Sequence, residues 1–197
     1  MSSLRYINNI SISDDTLKSV ETMLKYPYEN GGVKRVHIGE TAVKVENKNI
    51  SQRCKAMKEA GYGLDDYFIE FNSNILPQVE ETLRNRYNLS YTHCCTVIIP
   101  PGQCMPAHSD TYSYLMRYMT KDFNSVTYDL KQDVRRYLVF LKDWQAGQAL
   151  GAENTIKCGW KIGGVYEWDY KAVHWCSNSS LLPTVFFEIT GLNLEKK

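Results

Sequence analysis

His108 and Asp110 are separated by a single residue in the stretch Pro100-Pro101-Gly102-Gln103-Cys104-Met105-Pro106-Ala107-His108-Ser109-Asp110, and a second histidine, His174, lies far downstream. Two imidazoles and one carboxylate can occupy one face of a divalent transition ion and leave the opposite positions open for substrate and oxygen. Metal-dependent oxygen chemistry is therefore the first expectation. Ten aspartates and four histidines make a stray His-x-Asp pair common, so the pattern draws its weight from its surroundings. Residues i and i+2 of an extended strand point the same way, which lets His108 and Asp110 face one interior while Ser109 faces out. His174 lies in Ala172-Val173-His174-Trp175-Cys176, where apolar neighbours disfavour a solvent role. A histidine satisfied within the core is the plain alternative for either imidazole. His37 has no acidic neighbour at ligand spacing and reads as structural or surface.

The elements that must position these groups fall into two textures. Ser13-Asp14-Asp15 ahead of Leu17, Val20, Met23 and Leu24 combines a cap, acidic first-turn residues and an apolar stripe, which predicts a helix over 14–25 stopped by Tyr26-Pro27. Segments 33–38 and 41–45 could pair as a hairpin, Ser51 caps a helix to about residue 60, and 67–71 is a short strand. Leu76, Val79 and Leu83, with Pro77 in the first turn, mark a third helix. From residue 92 onward, short runs separated by Gly, Pro and Asn predict strands at 94–99, 105–110, 134–141, 155–157, 165–168, 172–175 and 184–190. Upstream of the first ligand, Thr96-Val97-Ile98-Ile99 reads as a buried strand broken by the Pro100-Pro101-Gly102 turn. This texture suggests a double-sheet jelly roll rather than a parallel α/β sheet. The expected architecture is one domain over 1–197, mainly β with α: a helical layer with added strands over 1–91 and a β-core over 92–191.

Composition sets bounds on partners. The formal net charge is +1 and the pI about 7.6, so no single-sign field argues for an obligatory nucleic acid or anionic lipid. The amino terminus lacks the apolar run of a signal peptide, and no segment is long and apolar enough to span a bilayer, so a cytoplasmic protein without a membrane partner is expected. Cys54, Cys94, Cys95, Cys104, Cys158 and Cys176 show no Cys-x-x-Cys spacing, which disfavours a thiolate zinc site and suits buried thiols in a reducing compartment.

Three blocks carry a resemblance. Pro101-Gly102 followed by Pro106-x-His108-x-Asp110, then Arg136-Tyr137-Leu138-Val139-Phe140-Leu141-Lys142-Asp143-Trp144, then Gly163-Gly164-Val165-Tyr166-Glu167-Trp168 before His174, are similar in order and separation to the 2-oxoglutarate and iron(II) dependent dioxygenases of the double-stranded β-helix (cupin-like) fold. The likeness covers about residues 96–191 and extends to prolyl and aspartyl/asparaginyl β-hydroxylases. It implies that His108, Asp110 and His174 ligate Fe(II), that 2-oxoglutarate chelates the metal, and that O2 takes the last position. The reaction would then be hydroxylation of a peptide or protein side chain or of a small molecule.

The chain departs from that family where an Arg or Lys commonly follows the distal His by nine or ten residues to hold the far carboxylate of 2-oxoglutarate. Pro183 and Thr184 stand there, leaving Thr184 as a candidate cofactor contact without charge. A carboxylate in a pocket calls for a guanidinium, and Arg135 and Arg136 are the candidates. Strand parity sends only one inward. The resemblance to aspartyl/asparaginyl hydroxylases gives Arg135 with Tyr137; if Leu138 and Phe140 face the metal, the anchor is Arg136; the plain alternative for both is a surface ion pair. Trp168 and Trp175 are candidate walls of the site. The aromatic insertion 111–133 reads either as a substrate-covering lid or as a helix packed on the barrel. The rival function is a cupin-like protein that holds a metal or an organic acid without turnover.

Overall fold

The computed structural model describes residues 4–36, 59, 67–72, 75–110, 133–169 and 172–193. The lid reading of 111–132, the helix after Ser51, the 41–45 strand and His37 lie outside them.

Helix α1 (Asp14–Lys25) forms where the capping signals put it. The Ser13 hydroxyl accepts from the Thr16 N–H at 3.2 Å, and Val20 and Met23 are buried on its inner face. Helix α2 (Pro77–Arg86) starts on Pro77 and buries Val79 and Leu83. The described residues also form eleven strands: β1 (Leu4–Asn9), β2 (Val33–Val36), β3 (Tyr67–Phe71), β4 (Ser90–Ile99), β5 (Gln103–His108), β6 (Val134–Phe140), β7 (Gln148–Ala152), β8 (Thr155–Lys157), β9 (Gly164–Trp168), β10 (His174–Asn178) and β11 (Thr184–Leu192).

Two antiparallel sheets result, one ordered β1-β9-β6-β11-β4-β3-β2 and the other β5-β10-β7-β8. Strands β4 to β11 divide four and four between the sheets, crossing from one to the other at every step except the β7–β8 hairpin of the smaller sheet, which is the double-stranded β-helix of a jelly roll. The amino-terminal part adds three strands, with β1 on one edge of the larger sheet and β3 and β2 on the other. In the described part of residues 1–91, helices α1 and α2 are thus joined by these three strands of the larger sheet. The larger sheet is apolar on both faces. Tyr137, Val139, Val185, Phe187 and Ile189 meet the helices, while Leu138, Phe140, Tyr166 and Phe186 join Met105, Leu150 and Cys176 of the smaller sheet in the barrel interior. Burying a side chain of this size contributes roughly 1.5–3 kcal/mol, so both faces oppose a slip of register, which would exchange the two sets.

One end of the barrel is closed by polar groups. Pro101 and Gly102 occupy the centre of a turn closed by the Gln103 N–H on the Pro100 carbonyl at 3.1 Å, and Gly102 takes the φ of +74° that such a turn reserves for glycine. Asn178, 1% exposed, donates to the carbonyls of Ile99 at 2.8 Å and Leu182 at 2.9 Å and accepts from the Ser180 amide and hydroxyl. Asn178→Ala removes the bonds to the Ile99 carbonyl and the Ser180 amide, while the Leu182 carbonyl keeps Gln148 and Ser180 as donors, and should lower stability by about 2–3 kcal/mol, read as a shift in the urea midpoint at unchanged slope.

Candidate metal centre

The opposite end of the barrel holds His108, Asp110 and His174. Strands β5 and β10 pair so that His174 lies opposite His108, whereas Cys176 lies opposite Met105. Two residues of β5, Pro106 and Ala107, therefore face the single Trp175 of β10, which is a β-bulge. The bulge changes the parity of β5 and turns His108 to the same side as Met105. Pro106, which has no N–H to give a ladder, sits where none is needed. Beyond the strand end, Ser109 is exposed and Asp110 half-buried, the alternation that brings the carboxylate back beside the imidazole.

The three ligand-type atoms all lie within 4.8 Å of one another. Nε2 of His108 is 3.8 Å from one Asp110 oxygen, and Nε2 of His174 is 3.7 Å from the other. Each Nδ1 faces a carbonyl two residues back, His108 to Pro106 at 2.8 Å and His174 to Ala172 at 3.0 Å. A hydrogen bond at Nδ1 fixes the tautomer and aims the Nε2 lone pair, the arrangement usual for metal-bound histidine. The His174 ring is 1% exposed, yet its Nε2 has no hydrogen-bond partner. A buried acceptor left so costs free energy, and a cation between the two imidazoles and the carboxylate would remove that cost. Bonds of about 2.1 Å at right angles set ligand atoms about 3 Å apart, so a small contraction brings the group onto one ion. The donors fit a divalent transition metal.

Burial first, then the Arg136 guanidinium and His108, push the His174 pKa down to about 2, keeping the imidazole neutral as a metal ligand must be. The unfolded chain takes up a proton near pH 6.5 that the folded chain refuses. This contribution to stability is therefore full above about 6.5 and is lost progressively as pH falls toward 2. Metal-free protein should lose about 2 kcal/mol more than its His174→Phe variant between pH 7.5 and 5, measured by urea unfolding at both values. Equal losses would show that His174 does not titrate in this way.

Arg136 stands beside the group. It is 7% exposed; one Nη contacts Asp110, the other donates to Glu188 Oε2 at 2.7 Å, and its guanidinium lies 4.5 Å from the centre of the Trp168 ring. Trp168 also stacks on His174 at 4.6 Å, so it is a wall of the site. Trp175 is not: its neighbour His174 faces in, and the Trp175 ring covers Gly151 on the outer face. The pairing of Arg135 with Tyr137 as a cosubstrate anchor is corrected on the same ground. Arg135 approaches Glu167 at 3.9 Å, and Tyr137 stacks on Tyr87 against the helices; strand parity turns both away from the triad. Thr184 is buried opposite Ile99, at the closed end of the barrel, and does not reach the triad either. Sequence reasoning missed Glu188; an acidic residue in the apolar run Phe186-Phe187-Glu188-Ile189 was the available signal, since a buried carboxylate calls for a charged partner.

No family model and no curated protein matches the chain. Among solved structures the chain is similar to double-stranded β-helix proteins of the cupin superfamily. One described as a predicted oxalate decarboxylase from Thermotoga maritima is 12% identical over 66% of this chain and 84% of that one, with a TM-score of 0.39. A sugar phosphate isomerase from Silicibacter pomeroyi is 10% identical over 63% of this chain, with a TM-score of 0.37. The cupin domain of Schizosaccharomyces pombe Cnp3 is 10% identical over 52% of this chain and 57% of that one, with a TM-score of 0.35. The match spans 59% of the isomerase chain. These are likenesses of shape alone.

Proposed function

We propose that the protein is an iron(II)-dependent oxygenase that couples decarboxylation of 2-oxoglutarate to hydroxylation of a peptide side chain or small molecule, acting as a single domain in the cytoplasm, where iron stays ferrous. The observation that carries this reading is the convergence of His108, Asp110 and His174 at one end of the barrel, ligand atoms within 4.8 Å of one another. Two imidazoles and one carboxylate leave several positions of the ion open, as oxygen chemistry requires. When bound, iron(II) with 2-oxoglutarate and O2 supplies the oxidising chemistry: the substrate C–H becomes C–OH, and 2-oxoglutarate leaves as succinate and CO2. The chain's own share is to hold the ion by Nε2 of both histidines and one oxygen of Asp110, to fix the imidazoles through Nδ1, and to keep water out with Trp168 and the apolar interior beneath.

Anaerobic addition of iron(II) and 2-oxoglutarate should produce the weak visible charge-transfer band of a chelated 2-oxo acid, and admission of air should release labelled succinate. A second reading, a cupin-like protein that binds metal or an organic acid without turnover, is favoured by one observation. Arg136, the guanidinium at the triad among the described residues, is already engaged by Asp110 and Glu188. Metal binding with no succinate above the metal-free control would support that second reading and contradict the first.

A further inference from the structure

Arg136 and Glu188 form a buried charged pair whose outer end touches the ligand carboxylate. We propose that Arg136 is a positioning residue for Asp110, held in its turn by Glu188, and that it does not anchor the far carboxylate of the cosubstrate; the inference rests on the metal-site reading above. Asp110 lies beyond the end of β5, where no strand ladder fixes it. One of its oxygens faces His108 and the other faces both His174 and Arg136. The guanidinium thereby sets the rotation of the carboxylate and with it which oxygen is offered to the ion.

Two contacts hold the guanidinium, and a third holds Glu188. Glu188, 8% exposed, accepts from it at 2.7 Å; the Trp168 ring packs against it; and the Cys95 thiol approaches the same Glu188 oxygen at 3.7 Å. Recruiting Arg136 to a bound acid would strip Glu188 of its counter-charge inside the barrel, which is costly. Charge points the same way. Two carboxylates, one guanidinium and a divalent ion sum to one positive charge, enough for the chelating end of a dicarboxylic acid and not for both ends. The far carboxylate needs a partner other than Arg136.

Cobalt(II) is a suitable probe, because its visible bands report ligand geometry without turnover. Arg136→Lys keeps the charge and loses the fork. It should bind cobalt(II) about 10–100-fold more weakly with shifted bands, while the 2-oxoglutarate affinity of the cobalt-saturated variant stays within about threefold of the unmodified protein. Wild-type cobalt affinity and spectrum with a tenfold or greater loss of 2-oxoglutarate binding would overturn the proposal. If Arg136→Lys does not fold, Glu188→Gln decides. A smaller loss of cobalt affinity with bands shifted in the same way supports the proposal. Unchanged cobalt binding with tighter 2-oxoglutarate binding overturns it, since Glu188 and the acid would then compete for one guanidinium. Failure of the unmodified protein to take up cobalt(II) at all would instead remove the metal-site reading itself.

Discussion

Replacing His174 by alanine should abolish metal binding and reduce succinate release to the metal-free background, with the circular dichroism spectrum retained. The expectation follows from geometry. His174 is the most deeply buried of the three ligand side chains, at 1% exposure, and its Nε2 has no hydrogen-bond partner. Two remaining donors, one from a half-buried aspartate, do not make a closed site in competition with water. His108→Ala should act in the same way, since its ring sits 4.3 Å from that of His174 across the paired strands. An iron(II) and 2-oxoglutarate band that survives in either variant would remove that histidine from the site.

The second large effect is on stability. Arg136→Met removes the counter-charge of Glu188 and of the half-buried Asp110 while keeping much of the side chain's volume. Leaving a buried ion pair half-made costs about 3–5 kcal/mol, most of it here from Glu188, because Asp110 retains more contact with water. Adding Glu188→Leu should recover a good part of the loss, because replacing both charged partners by apolar groups is far less costly than replacing one. Urea unfolding of the metal-free proteins measures both. A loss below about 1 kcal/mol for Arg136→Met, the range of exposed pairs, would show that Glu188 is solvated and that the pair does not hold the site.

Both variants turn on strand parity, and parity marks the boundary of what the residues alone disclosed. The apolar runs placed most strands of the barrel with small shifts at their ends, because those strands bury residues on one or both faces. β1 and β7 escaped notice for different reasons. Leu4–Asn9 buries only its first residue and is held at the sheet edge by pairing with β9, including the Arg5 to Glu167 ion pair. Gln148–Ala152 is short and built of small residues, with Gly151 under the Trp175 ring, where a Cβ would meet it at 2.1 Å. β10 begins at His174 rather than Ala172 because the ladder with β5 and β7 starts there.

The site was legible in the same uneven way. His-x-Asp and the distal His could be read from spacing and the order of blocks. The bulge that makes His108 face inward depends on a register between β5 and β10 that no local pattern encodes. The choice between Arg135 and Arg136 required the same kind of information. Leu138 and Phe140 face the interior, so Arg136 does as well. Glu188 enters the site only because β11 lies beside β6 in the sheet, a long-range pairing.

A crystal of the protein grown with manganese(II), which fills such sites without oxidising, tests the central claim most directly. One anomalous scattering peak is expected, bonded to His108 Nε2, His174 Nε2 and one oxygen of Asp110, with Arg136 still on the other oxygen. A peak bound elsewhere, or none at the triad with manganese(II) in excess, would contradict it.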